Sequence, residues 1–296
     1  MNNARNQSLA DRLFDLCNIF FFALLLLIVL YPLYFILISS VSHPDSVNLG
    51  ATYWLPDGFT LEGYRKIFLS QRIWQGYANS TLYVIVGTSI KLALTISAGY
   101  ALSRKDMPGR QILMMLFVFT IFFQGGMIPS YLLVRELGLL DSIWAIVLPG
   151  AISVYHLIIV RTFFQSTIPD ELLEASQMDG GTNWIFFFRI AMPLSLPIVA
   201  VVALFSAVAE WNAYFQALLY IKDVTKQPLQ IVLRELLIQN QQSLGTDAGL
   251  DVLEQQNAAE QMKYGVVIIA SLPMLVLYPF LQRYFVKGVM IGSIKG

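Results

Sequence analysis

The 296-residue chain is short of charge. Only 13% of its residues are Asp, Glu, Lys or Arg, where an ordinary soluble domain carries roughly 25%. Hydrophobic residues make up 56%. That deficit, with apolar runs of ~20 residues, excludes a water-soluble surface over most of the chain and puts it in a bilayer. Formal net charge is zero, so there is no basic footprint for nucleic acid. The single cysteine, Cys17, sits at the edge of the first apolar run. One cysteine makes no intramolecular disulfide, and no zinc or other metal-ligand set is present. Cys17 reads as a small apolar filler. No G-x-x-x-x-G-K-[ST] phosphate loop occurs, so the chain does not cradle ATP in that way itself. There is no H-E-x-x-H, no paired in-membrane Ser/His and no carboxylate pair at matching depth. An intramembrane enzyme is therefore disfavoured.

What is present is six long apolar segments. They run over about 18–38, 81–102, 112–134, 143–164, 190–221 and 264–286. The first contains Pro32, the second Lys91, the third Gln124-Gly125-Gly126 and Pro129, the fourth His156, the fifth Glu210, and the last Pro273 and Pro279. Each is long enough to cross ~30 Å of hydrocarbon as a helix. Internal prolines and glycines are tolerated where neighbouring helices cover the freed backbone groups. The expectation is an all-α polytopic membrane protein of six transmembrane helices, a single domain over 1–296. The first segment has no small-residue cleavage site behind it and is too long for a signal h-region, so it reads as a retained helix.

Six spans put both termini on one side. That side carries ten basic residues: Arg5, Arg12, Arg104, Lys105, Arg110, Arg161, Arg189, Arg283, Lys287 and Lys295. The other carries eight, from Arg65 to Lys263, largely in two long loops that obey the positive-inside rule poorly. The cluster Arg104-Lys105…Arg110 in a short loop is the stronger vote. It places the N-terminus (1–17), the tail (287–296) and the 167–190 loop in the cytoplasm, and the 42–77 and 222–262 loops outside. The first outside loop has turn chemistry at His43-Pro44-Asp45 and Pro56-Asp57-Gly58, and interface aromatics in Tyr53, Trp54, Phe59 and Tyr64. The second reads as a partly helical, partly mobile excursion.

The 167–190 loop is polar and acid-bearing, lodged between two apolar runs. Thr167-Ile168-Pro169-Asp170 looks like a helix start, with Thr167 as cap, proline in the first turn, and Asp170 and Glu171 at the positive end. The helix should end near Met178, because Gly180-Gly181 supply a left-handed stop. Thr182 then caps a second short helix through Trp184 to Arg189. On a helical wheel Leu172, Leu173, Ala175 and Met178 scatter rather than form a stripe. A helix lying on its own protein shows a stripe; a helix pressed into a partner's cleft does not need one. The plainer reading is a solvated acidic loop whose Glu171, Glu174 and Asp179 serve capping and solubility.

The run Glu174-Ala175-Ser176-Gln177-Met178-Asp179-Gly180-Gly181, followed by Phe187, Ile190 and Pro193, resembles the "EAA" loop of binding-protein-dependent ABC importer permeases. Ser176, Gly181 and Met192 depart mildly from that pattern. Ala98-Gly99-Tyr100-Ala101-Leu102-Ser103-Arg104 with Pro108-Gly109-Arg110, Glu210-Trp211-Asn212-Ala213-Tyr214-Phe215, and the ending from Phe285 to Gly296 are similar to other stretches of the maltose-type carbohydrate group, in particular permeases for polysaccharide-derived oligosaccharides. The resemblance implies the type I ABC importer permease fold and a bacterial cytoplasmic-membrane location. It implies that this loop is a coupling helix docking on a separate ATPase, with Glu171, Glu174, Ala175, Asp179, Gly180 and Gly181 as its coupling residues. It also implies the partners: a second homologous permease, two ATPase subunits that hold the ATP and Mg, and an extracytoplasmic sugar-binding protein. No cofactor is expected on this chain.

An ionisable residue inside a span is costly and points to function. Glu210 lies beside Trp211, Asn212 and Tyr214. Aromatic faces with a carboxylate and an amide suit sugars, so these four residues and Gln124 are candidates for the substrate path. The alternative is that Glu210 pairs with Lys91 and holds helices together. Lys91 itself reads as structural, and His156 as a packing histidine. Asn79 and Tyr83 are candidates to face a docked binding protein. A different class of function, a self-sufficient ion-coupled transporter using Glu210 and Lys91 as a relay, also fits these charges. It is less natural without a visible internal repeat.

Overall fold

A computed structural model describes residues 9–242 and 262–279, and among them every regular element is helical. The helices are α1 (Leu9–Ser40), α2 (Pro44–Asn48), α3 (Glu62–Leu69), α4 (Gln71–Ser103), α5 (Arg110–Phe122), α6 (Met127–Glu136), α7 (Ile143–Val147), α8 (Val154–Thr167), α9 (Asp170–Met178) and α10 (Asn183–Phe186). After a π-helical turn at Phe187–Ala191 come α11 (Met192–Leu194), α12 (Leu196–Trp211), α13 (Phe215–Tyr220) and α14 (Leu229–Gln242). The last described helix is α15 (Met262–Pro279). Two compact units share these elements: Met1–Ser70 with Glu235–Ala270, and Gln71–Arg234 with Ser271–Gly296.

Among the described residues, α1, α4 and α15 are each long and apolar enough to cross a membrane. Two bent pairs, α5 with α6 (114°) and Asn183–Leu194 with α12 (76°), raise the number to five if each counts as one span. The apolar segment expected over 143–164 is not a single rod. It is α7 and α8, separated at 148–153. Pro149 removes a backbone donor there, Gly150 follows, and helical pairing stops. The break at Gln124-Gly125-Gly126 is present as expected, between α5 and α6. α1 continues unbroken through Pro32. The end of the last segment, beyond 279, and the C-terminal motif at 285–296 lie outside the described residues, as does 243–261 of the second outside loop.

In the first unit the 42–60 loop folds back on the end of α1. The His43 N–H donates to Asp57 O at 3.0 Å and the Thr60 N–H to Val41 O at 2.9 Å. The Tyr64 hydroxyl donates to Ser40 Oγ at 2.9 Å. Tyr34 donates to the Trp54 carbonyl, and the rings of Tyr31 and Trp54 meet edge to face. Ile38, Ile67 and Val266 form its buried apolar part.

In the second unit α4 is the central rod, packed most extensively on α12 and then on α8. Ile96, Val160, Phe164, Ile198 and Val202 from these three helices form one apolar hub with Leu173, Phe186, Phe187 and Ala191. The acid-bearing loop is thereby part of the same core as the spans. α4 begins at Gln71, well before the expected 81, because its polar first turns are held by tertiary contacts. Ser80 Oγ accepts from Leu229 N–H at 2.9 Å, and the Asn79 amide donates to Thr225 O and Gln227 O. The Tyr83 hydroxyl donates to Lys226 O at 2.6 Å. Asn79 and Tyr83, expected to face a docked protein, instead bind the chain's own 225–227 turn.

Phe186 is 1% exposed and Phe188 60%. Replacing Phe186 by Ala should lower stability by about 3–5 kcal/mol, the usual cost of emptying a core aromatic site. Phe188→Ala should cost far less. Thermal unfolding of the two variants in detergent checks the contrast.

Candidate functional site

The acid-bearing loop forms helix, break and helix. α9 starts at Asp170, with Pro169 as its N-cap and no side-chain cap bond. Thr167 does not cap it; Thr167 is the last residue of α8. Proline at 169 drives Ile168 to an extended conformation (φ −109°, ψ 102°), so α8 ends there and α9 begins beyond the proline. The C-terminus follows expectation. Gly180 has φ +78°, its N–H donates to Gln177 O at 3.0 Å, and the Gly181 N–H donates to Ser176 O at 2.8 Å. That pair of bonds is a Schellman motif. A Cβ on Gly181 would come within 2.7 Å of the Ser176 carbonyl oxygen, which explains glycine where the resembled pattern has alanine. Thr182 then caps α10, its Oγ1 accepting from Ile185 N–H at 3.4 Å.

Of α9 only Leu173 is buried, set in the hub. Glu171, Glu174, Ala175, Asp179 and Gly180 are exposed, and Gly181 is half-buried. The structure therefore brings all six expected coupling residues to one loop and turns five of them to solvent.

A second attachment was not foreseen from sequence. Lys105 Nζ donates to Asp170 Oδ2 at 2.6 Å, joining the 104–109 turn to the first turn of α9. The turn is itself fixed. Arg104 makes a bidentate pair with Asp106 at 3.0 and 3.1 Å. Arg110 donates to Arg104 O, Arg161 to Leu102 O and Gln165 to Ser103 O. Three donors thus satisfy carbonyls at the C-terminal end of α4, where positive groups also oppose the helix dipole. Between this turn and α9 lies a cleft of about 330 Å³, lined by Tyr100, Arg110, Gln165, Glu171 and Phe186 among others. The hydrogen bond to Lys105 holds the Asp170 carboxyl below the usual carboxylate range, and the same bond raises the Lys105 ammonium.

Glu210 lies on α12, 7% exposed, with Oε1 2.5 Å from Lys91 Nζ of α4. Gly87 makes the approach possible: a Cβ there would sit 2.9 Å from Glu210 Cδ. Oε2 is buried without a hydrogen-bond partner among the described residues. Trp211 is buried, edge to face with Tyr77 at 5.5 Å. Asn212 and Tyr214 are exposed, in the break between α12 and α13, and the Asn212 amide donates to Val208 O at 2.9 Å. Gln124 is exposed in the α5–α6 break. His156 packs its ring 5.9 Å from that of Phe205. Beside Trp211 an apolar cleft of about 660 Å³ opens between α4, α12 and 272–277, with Tyr77, Thr81, Thr88 and Ser89 on its wall. No cluster of three or more His, Cys, Asp or Glu suited to a metal occurs among the described residues.

No protein-family model matches the chain. Among curated proteins, Protein LplC of Bacillus subtilis is 41% identical over 288 residues, covering 97% of this chain and 96% of that one. The polygalacturonan/rhamnogalacturonan transport system permease protein YtcP of Bacillus subtilis is 39% identical over 290 residues, covering 97% and 99%. Among solved structures, a bacterial ABC transporter involved in import of the acidic polysaccharide alginate matches with a TM-score of 0.87 at 28% identity, covering 95% of this chain and 100% of that one.

Two predictions arise here. Lys91→Met strands a buried Glu210 carboxylate and should destabilise the detergent-solubilised protein by about 3–5 kcal/mol. Lys91→Met with Glu210→Gln should recover most of that loss in the same unfolding measurement. For the exposed pair, a depressed Asp170 pKa means its contribution is present above the unfolded carboxyl value of about 3.9. It is lost as pH falls through the lower folded value. The raised Lys105 pKa sets the other limit: its contribution is full below about 10.4 and lost as pH rises beyond that. Between them the pair persists. A ¹³C NMR titration of the Asp170 carboxyl should have its midpoint below about 3.9, and Lys105→Ala should return it to the ordinary value.

Proposed function

We propose that this chain, which belongs to the sugar ABC transporter permeases, uses the α9–Gly180–α10 loop to couple its membrane helices to ATP hydrolysis on a separate subunit. It is a transport subunit, not an enzyme. One observation carries the coupling reading. Glu171, Glu174, Ala175 and Asp179 face solvent, while Leu173, between them, is locked into the hub built by α4, α8 and α12. A push on the acidic face is therefore delivered to the spans rather than absorbed in a loose loop. Gly181 and Ser176 keep the turn closed behind it.

In this reading ATP and Mg stay on two ATPase subunits and this chain binds no cofactor. A permease of this family works with a binding protein, a second permease and an ATPase. The composition we propose is one second homologous permease, two ATPase copies and one extracytoplasmic sugar-binding protein. We further propose six spans with both termini cytoplasmic, α7 and α8 together supplying the fourth and residues from 262 onward the last. The cargo is a polysaccharide-derived oligosaccharide. YtcP is a polygalacturonan/rhamnogalacturonan permease and the alginate importer takes an acidic polysaccharide; both support that class. Tyr214, Asn212 and Gln124 offer exposed polar and aromatic groups to the sugar path. Glu210 and Trp211, both buried on α12, complete the candidate set.

Replacing Gly180 by Val tests the coupling loop. The φ of +78° is costly for a β-branched residue. Insertion and assembly should persist while oligosaccharide uptake into vesicles is abolished and ATP hydrolysis no longer responds to the loaded binding protein. Uptake at the unsubstituted rate would overturn the assignment.

A further inference from the structure

After the coupling turn the chain does not enter α12 directly. Asn183–Leu194 meets α12 at a bend of 76°. With α12 crossing the bilayer, such a segment runs nearly parallel to the membrane surface.

The segment has two faces. Phe186, Phe187 and Ala191 are buried in the hub. Trp184, Ile185, Phe188 and Leu194 are exposed, as is Arg189. The Trp184 and Phe188 rings stack on each other, 6.0 Å apart and 13° from parallel, and are 73% and 60% exposed. The π-helical turn at Phe187–Ala191 widens the helix by one residue per turn. It accommodates two consecutive phenylalanines in the core with the third outside.

We propose that Asn183–Leu194 is an amphipathic elbow lying in the membrane interface on the side of the coupling loop. Its occupant is lipid: the Trp184–Phe188 stack sits at the headgroup–acyl boundary and Arg189 at the lipid phosphates. Three observations favour lipid over a protein partner. Exposed apolar residues recur along the chain into α12, at Leu194 and Leu196. A Trp beside a Phe and an Arg at the end of a span is the composition of an interface anchor. The face offered by α9 is acidic (Glu171, Glu174, Asp179), whereas the elbow offers rings and a cation, which suit an anionic lipid surface. The elbow thereby fixes the depth of the coupling loop and gives α12 a pivot at the surface. The inference rests on α12 being a membrane span.

The test uses the whole transporter with Cys17→Ser, carrying a single nitroxide at Trp184→Cys or Phe188→Cys. Phe20→Cys in α1 is the lipid reference and Asp179→Cys the aqueous one. The assembly is reconstituted in phosphatidylglycerol/phosphatidylethanolamine bilayers, with and without the ATPase. Oxygen, which partitions into lipid, should relax the labels at 184 and 188 more than a water-soluble nickel chelate does, as at 20 and opposite to 179. The preference at 184 and 188 should hold with or without the ATPase, whereas 179 serves as the aqueous reference only in the ATPase-free bilayers, since it lies on the face proposed to dock. Preference for nickel, protection appearing only when the ATPase binds, or protection from both agents would each overturn the elbow. If the label at 20 also prefers nickel, the membrane reading itself fails, and the two failures are told apart.

Discussion

The contact on which the rest depends is the burial of Leu173, Phe186 and Phe187 among Ile96, Val160, Phe164 and Val202. Apolar burial is non-directional, but a close-packed interior transmits strain because it has few voids into which to yield. Here the interior of the spans and the interior of the loop are one core. The rings of Tyr100 and Phe187, 4.7 Å apart, join the end of α4 to the π-helical turn. Without that shared core, an exposed acidic helix between two spans would be only a solvated loop.

Charge acts at two depths around this core. At the surface, Lys105–Asp170 is an exposed pair of the kind that contributes little energy and is weakened by salt. Its value is geometric, since it fixes the first turn of α9 above an otherwise open cleft. Between α4 and α12 the buried Glu210 carboxylate meets a half-buried Lys91, and removing the lysine leaves a buried charge with nothing to answer it. Lys91 thus answers one oxygen of the Glu210 carboxylate, Oε1. In the proposed ATP-driven reading the two need not act as an ion relay. The pair fastens the two helices that pack together most extensively.

Much of the loop was legible in sequence because single residues carry its geometry. A glycine at 180 is what a left-handed stop requires, and Thr182 is a cap by chemistry alone. The start of α9 was not, because Thr167 and Pro169 both look like helix-start residues and only the continuation of α8 decides between them. The start of α4 at Gln71 was hidden for a related reason. Gln71 to Ser80 is polar in sequence, and its groups are satisfied by the 225–229 segment about 150 residues away. The Lys105–Asp170 contact joins residues far apart in the chain, so no local pattern announces it. Lys91–Glu210 was one of two open readings, since two opposite charges within apolar spans each need a partner. The apolar run 143–164 concealed the break at Pro149-Gly150, which the structure places between α7 and α8.

The most direct measurement is a photocrosslink from Ala175, an exposed position on α9 beside Glu174, in the reconstituted transporter. A photoreactive side chain there should yield an adduct with the ATPase subunit, stronger in the ATP-bound state than without nucleotide. Adducts only with lipid, with the chain itself or with the second permease would contradict a loop that couples this permease to its ATPase.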